Sequence, residues 1–197
     1  NLLVLTGKSN NVGDPIMTNV KNSYRAGIEL QGGWQIIKNL RWDLHAAFSR
    51  NKIENFTAYV DVYDEFWNFE GQVSEELGET DISFSPDITA GSMVDYEAIK
   101  DLHISLVSNY IGKQYIDNTS SEERKLDPYF INNIRLMYIV RTGLIREISL
   151  HFQVNNIFSV EYESNAWVYP YIQGGQPYLA DGYFAQAPVN FFGGIGL

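Results

Sequence analysis

The feature that most constrains this chain is a beat of two. From Arg41 to Ser49 the even positions hold Trp42, Leu44, Ala46 and Phe48, and the odd ones Arg41, Asp43, His45, Ala47 and Ser49. The beat returns as Leu102, Ile104 and Leu106 against His103, Ser105 and Asn109. It returns again as Ile148, Leu150, Phe152 and Val154 against Ser149, His151, Gln153 and Asn155. Successive side chains of a strand point to opposite faces, so each segment has one apolar and one polar face. A sheet of such strands must find an apolar medium for one face only.

Composition narrows the choice of medium. No run of ~18 apolar residues exists, which excludes spanning helices, yet 45% of the 197 residues are hydrophobic. The 13 Tyr and 4 Trp would suit the interfacial girdles of a strand-built membrane wall. A net charge of -10 argues against a nucleic-acid partner, which calls for clustered Lys and Arg. Without cysteine there are neither disulfide staples nor thiolate metal sites. The chain opens on Asn1-Leu2-Leu3 with no Met and no basic flank, and is expected to be an internal fragment.

Eight strands are expected, at about 1–6, 20–36, 40–56, 82–97, 102–115, 128–141, 147–158 and 183–197. Their connections alternate in length. Tight turns are expected near Lys38-Asn39, at 98–101 and from Arg141-Thr142-Gly143, with long connections at 57–80, 116–127 and 159–182. A soluble β-sandwich also alternates apolar and polar residues, but it has no reason to send every long loop to one end. In outer-membrane barrels the short turns are periplasmic and the long loops extracellular. The expected lipid-facing set is Leu44, Phe48, Ile104, Leu106, Leu136, Leu150 and Phe152, while Ser105 and Gln153 are expected to be tolerant lumen positions.

Four stretches, in order, resemble the C-terminal barrel of TonB-dependent outer-membrane receptors of the Bacteroidetes type. Ser23-Tyr24-Arg25-Ala26-Gly27-Ile28-Glu29 is similar to that family's SYR-x-G-x-E strand, and Asp81-Ile82-Ser83-Phe84-Ser85-Pro86 to its D-x-S-F-S-P stretch. Tyr110 through Asn118 is similar to Y-x-[GS]-x-x-Y-x-D-N. Asn155-Asn156-Ile157-Phe158 with Tyr162 is similar to NN-[LI]-F…Y. The resemblance implies an all-β, antiparallel up-and-down transmembrane barrel segment, about the last eight strands of a 22-stranded plugged barrel. Residues 1–197 would then be the C-terminal part of the barrel domain. The implied partners are the plug domain and remaining strands of the parent chain, the TonB energy-coupling system acting through the plug, membrane lipid and an extracellular solute. That solute would be an iron-siderophore, haem, cobalamin or glycan; no cofactor and no nucleic acid is implied. Such barrels commonly end on an aromatic residue, whereas this chain stops at Leu197.

Catalysis has little support, because no nucleophile elbow and no acid pair in an apolar pocket stands out. His45, His103 and His151 recur on polar faces of alternate strands, about 10 Å apart at ~4.8 Å per strand. They read as a polar wall rather than a metal site. Binding is better placed in the long connections. Residues 58–81 mix Tyr63 and Trp67 with many carboxylates, a combination suited to a cationic or metal-chelate ligand or to Ca²⁺, though also to an ordinary solvated loop. Residues 159–182 carry Trp167, Tyr169 and Tyr171, flat faces for stacking on a ligand ring. The candidate ligand contacts are therefore Tyr63, Trp67, Trp167, Tyr169 and Tyr171. The rival readings are a self-contained eight-stranded barrel acting as adhesin or anchor, and an outer-membrane enzyme of lipase or protease type.

Overall fold

The computed structural model describes residues 2–10, 14–141, 143 and 146–197. It contains fourteen strands: β1 (Leu2–Ser9), β2 (Pro15–Val20), β3 (Asn22–Ile37), β4 (Leu40–Tyr63), β5 (Phe69–Asp81), β6 (Ile88–Ile99) and β7 (Leu102–Ile111) form the first half. The second half has β8 (Gln114–Tyr115), β9 (Lys125–Leu126), β10 (Tyr129–Val140), β11 (Ile148–Asn155), β12 (Glu163–Gln173), β13 (Gln176–Ala185) and β14 (Asn190–Gly196). Among the described residues no helix forms.

Seven strands make an antiparallel wall in the order β3-β4-β6-β7-β10-β11-β14, curled as part of a barrel. The period of two dictates its faces. Trp42, Val94, Leu106, Ile134, Val154 and Phe191 lie in one row across six strands. One residue along each strand, on the opposite face, the row reads Arg41, Asp95, Ser105, Arg135, Gln153 and Phe192. The expected lipid-facing set falls on the apolar side throughout. Short connections join β3 to β4 at Lys38-Asn39 and β6 to β7 at Lys100-Asp101. Thr142, within the third expected tight turn, lies outside the described residues.

The first strand, the last strand and two lumen positions need correction. The strand expected at 1–6 forms, but it pairs with β2 in a separate two-stranded sheet and is not part of the wall. As the segment reading expects, the sheet is open: its edges are β3 and β14, each paired to one neighbour among the described residues, unlike the rival closed eight-stranded barrel. The last strand is shorter than expected, because Tyr183–Ala185 belong to β13 and pair with β12. Ser105 is no free lumen position: it is buried, and its Oγ donates to Asp95 Oδ1 at 2.6 Å. Gln153 likewise accepts from Arg135 Nε at 3.2 Å and donates to Asn155.

The long connections are built structures. β4 runs 24 residues, the first part in the wall and the rest paired with β5 in an outer hairpin. Asn55, with φ of 53°, makes the bulge between the two parts. The extra residue shifts the parity, so that Ile53 before it and Phe56 and Ala58 after it share one cluster. Val4 of β1 and Ile82 complete that core, and Ile53 is fully buried there, worth about 1.5–3 kcal/mol. A second small core joins Ile116, Leu126 and Ala166. The connection expected at 159–182 is the β12–β13 hairpin, whose tip returns to pair with β4 in parallel at Tyr171–Gln173 against Asp61–Tyr63.

If the apolar face meets lipid, Phe152→Arg in the full-length protein should cost ~2–4 kcal/mol near the bilayer centre. The adjacent His151→Arg, on the polar face and exposed, should cost far less. Urea-dependent folding into vesicles measures both, and the reverse order would invert the assignment of faces.

Candidate functional site

Where the β4–β5 and β12–β13 hairpins meet, their aromatic residues gather into one platform. Tyr63 lies 5.7 Å from Trp67, 5.7 Å from Phe69 and 6.4 Å from Tyr171 between ring centroids. Tyr171 in turn is 5.5 Å from Trp67 and stacks on Tyr169 at 5.7 Å and on Tyr178 at 5.5 Å. On β12 the tyrosines stand two apart and so share a face; Tyr178 joins them as the cross-strand partner of Tyr171. The turn 64–68 is fixed by Asp64, whose Oδ1 accepts the N–H groups of Phe66 and Asn68, both at 2.8 Å. Those bonds, with the side-chain bond from Asn68, hold the Asp64 carboxyl below the usual carboxylate range. Trp67 occupies the left-handed region at φ of 66°, unusual for a bulky residue, and the residue remains 57% exposed.

Beneath the platform a buried carboxylate joins the hairpins. Asp61 is 8% exposed and accepts from the Tyr169 hydroxyl and from Gln72 Nε2 at 2.7 Å. Because Tyr169 spends its proton on Asp61, the Tyr63 hydroxyl, 2.9 Å away, is the donor to Tyr169. Gln72 Nε2 also donates to the Gly7 carbonyl at 2.9 Å, tying in β1. Burial, followed by the bond to Asp61, pushes the Tyr169 phenol far above its ordinary value, so it stays a neutral donor. Three elements distant in sequence are thus tied at one carboxylate.

The motif asparagines turn out to be scaffolding. Asn156, at φ of 49° and buried, donates to the carbonyls of Val160 and Ala187 at 2.9 and 3.2 Å and accepts from Val160 N–H at 2.9 Å. It thereby fixes how β11 leaves the wall toward β12 and how the chain returns to β14. Asn118 accepts from Ser83 N–H at 2.9 Å and donates to the Leu5 carbonyl at 3.1 Å. In the same loop Lys113, Tyr115 and Lys125 converge on Glu122 and draw its carboxyl down to about 2. A depressed carboxylate stabilises above its ordinary titration range and loses that contribution as pH falls through about 2, so this loop keeps its ion cluster in mild acid.

On the polar face of the wall, His103 Nδ1 lies 2.8 Å from Asp95 Oδ2, and His45 rests against Gly91, where an added Cβ would meet its ring at 2.3 Å. Arg41 and Asp43 form a two-bond pair at 2.7 and 2.6 Å. Arg41, Asp43 and His45 line a groove of about 550 Å³ with Gln31, Met93 and Asn109. Among the described residues no three His, Cys, Asp or Glu side chains gather to hold a metal.

No protein-family model matches this sequence, and no curated protein matches it. Solved structures do. The chain is similar to the siderophore receptor PiuA from Acinetobacter baumannii, with a TM-score of 0.57 and 12% identity, over 88% of this chain and 22% of that one. It is also similar to the ferric yersiniabactin uptake receptor FyuA from Yersinia pestis, with a TM-score of 0.56 and 18% identity, over 91% of this chain and 24% of that one. The fold is that of an arc of the β-barrel of these two receptors. At such identities the likeness concerns fold alone, and the chain spans about a quarter of either receptor's length.

Of the five expected contact residues, this barrel segment brings four together: Tyr63, Trp67, Tyr169 and Tyr171. Trp167 shares their face of β12 but lies further down the hairpin, over Gly182, where an added Cβ would meet its Nε1 at 2.3 Å. Sequence reasoning left Asp61, Gln72, Phe69 and Tyr178 out of the candidate set. Asp61 was within reach, since it precedes Tyr63 by two on one strand and therefore shares its face. Gln72 carried no such signal. In the full-length protein, Tyr169→Phe should leave Asp61 with one partner and cost about 1–3 kcal/mol of local stability. Faster amide exchange at Tyr171–Gln173 and faster proteolysis at Gly174-Gly175 would show it; unchanged exchange would mean that stacking alone holds the hairpins.

Proposed function

We propose that this chain is the C-terminal wall and outer-loop segment of an outer-membrane receptor for energy-coupled uptake of a scarce solute, with iron chelates the leading class. The observation that carries the reading is a wall with one predominantly apolar face whose long hairpins rise at one end, opposite the short turns, in the fold of two siderophore receptors. In this reading the apolar face lies in lipid, the polar face surrounds a plug supplied elsewhere in the parent chain, and the TonB system acts through that plug. Strands flanking β3 and β14 complete the barrel. The platform of Tyr63, Trp67, Tyr169 and Tyr171 stands where a solute first meets the receptor, and it offers flat faces and hydroxyls rather than a catalytic constellation.

The experiment is uptake of radiolabelled iron chelates by iron-starved cells producing the full-length receptor. The receptor should support uptake that is lost on removing the energy-coupling protein. Tyr171→Ala should raise the half-saturating concentration about tenfold while leaving the receptor level in the outer membrane unchanged, the scale of ring-stacking losses. Uptake indifferent to both changes would refute the reading.

A further inference from the structure

We propose that the aromatic platform selects a ligand of net positive charge, specifically a metal chelate bearing a protonated amine, and disfavours anionic chelates. This inference rests on the receptor reading above and names the charge class of its ligand.

The charge distribution leads to it. No Lys or Arg stands between Lys52 and Lys100, and none follows Arg146. Both platform hairpins fall inside those two stretches. Most cations near these hairpins are engaged by the protein's own acids: Lys52 with Asp81 at 2.6 Å, Arg50 with Glu79 at 2.9 Å, and Arg124 with Asp117 at 2.7 Å; Lys8, on β1, sits instead over the Tyr59 ring. Lys113 and Lys125 are held by Glu122. Among the described residues no ion pair reaches Glu65, Glu70, Glu75 or Glu76, all exposed on the β4–β5 hairpin. Glu65 borders the platform directly, its Cγ 3.2 Å from where a Cβ on Gly174 would stand at the tip of the other hairpin.

The aromatic faces act in the same direction. A ring face carries the negative lobe of its quadrupole and attracts cations, more so where water is partly excluded. This end of the molecule already seats one of its own, with Lys8 Nζ 5.5 Å from the Tyr59 ring centre. Beneath the platform lies the Asp61 carboxylate, and the Tyr169 phenol keeps its proton and so adds no positive charge beside it. The basic residues Lys38, Lys100, Arg141 and Arg146 belong to the short-turn end. A field negative at the mouth raises the local concentration of cationic ligands and repels anionic ones. An anionic chelate would require basic groups on these hairpins, and they have none. No three carboxylates converge as metal ligands among the described residues, so the acids act as a field around the rings and not as an ion site.

The test compares two ferric trihydroxamates in binding to the purified full-length receptor: one with a free protonated amine, and the same chelate acetylated on that amine. The cationic form should bind about fivefold tighter or more at low salt, with the gap closing at roughly 0.5 M salt, where exposed charges are screened. The double variant Glu65→Gln, Glu70→Gln should shrink the gap while leaving affinity for the acetylated form unchanged. Equal binding of the two forms, preference for the acetylated form or for a ferric tris-catecholate, or a gap indifferent to salt and to the double variant would overturn the charge selection while leaving the receptor reading intact. Failure to bind either form, together with no uptake of any ferric chelate by cells, would overturn the receptor reading and this inference with it.

Discussion

Backbone pairing is the constraint on which the rest of this structure depends. A sheet whose predominantly apolar face is set against lipid meets a medium that offers no partner to an N–H or C=O, each unsatisfied group costing several kcal/mol. Within the wall the ladder meets this demand from β4 through β11, where every strand has a neighbour on both sides. β3 and β14 meet it on one side only. Those edges therefore call for further strands, and the wall acquires its full meaning as an arc of a larger barrel.

Above the wall the chain changes its way of holding together. The wall has no core of its own, since its polar face carries the Arg41–Asp43 pair and the Asp95 cluster. The outer end instead buries Ile53, Phe56 and Ile82 against Val4, as a water-soluble domain would. One left-handed asparagine, Asn55, marks the passage between the two regimes within a single long strand. Asp61 then provides a polar tie where apolar packing thins out, joining β1, β5 and β12 around the platform.

The parts legible in the sequence were those ruled by one local period. Trp42–Phe48, Leu102–Leu106 and Ile148–Val154 announce their faces because polar and apolar neighbours alternate, with Ala47 the one break. The β12–β13 hairpin was hidden because Trp167 through Ile172 are mostly apolar or aromatic on both faces, which erases the alternation. Its one local signal was Gly174-Gly175, both at positive φ, the two-residue turn that joins paired strands Gln173 and Gln176. The β1–β2 pairing was hidden for a different reason. Leu2 to Leu5 reads as a wall strand, and only its docking on Ile53 and Phe56, far away in sequence, moves it to the outer end. Four of the five proposed contact residues converge because a parallel pairing of three residues unites β4 and β12, a contact that no spacing encodes. Trp167 lies apart from them because Gly182 offers it a local seat.

The central claim is that the wall crosses a membrane with its hairpins outside and its short turns inside. Single cysteines at Asn68, Gln173 and Lys100 of the full-length protein, which has no native cysteine in this segment, test it with a membrane-impermeant thiol reagent on intact cells. Asn68→Cys and Gln173→Cys should label at once, and Lys100→Cys only after the outer membrane is opened. Equal labelling of all three on intact cells would contradict the account.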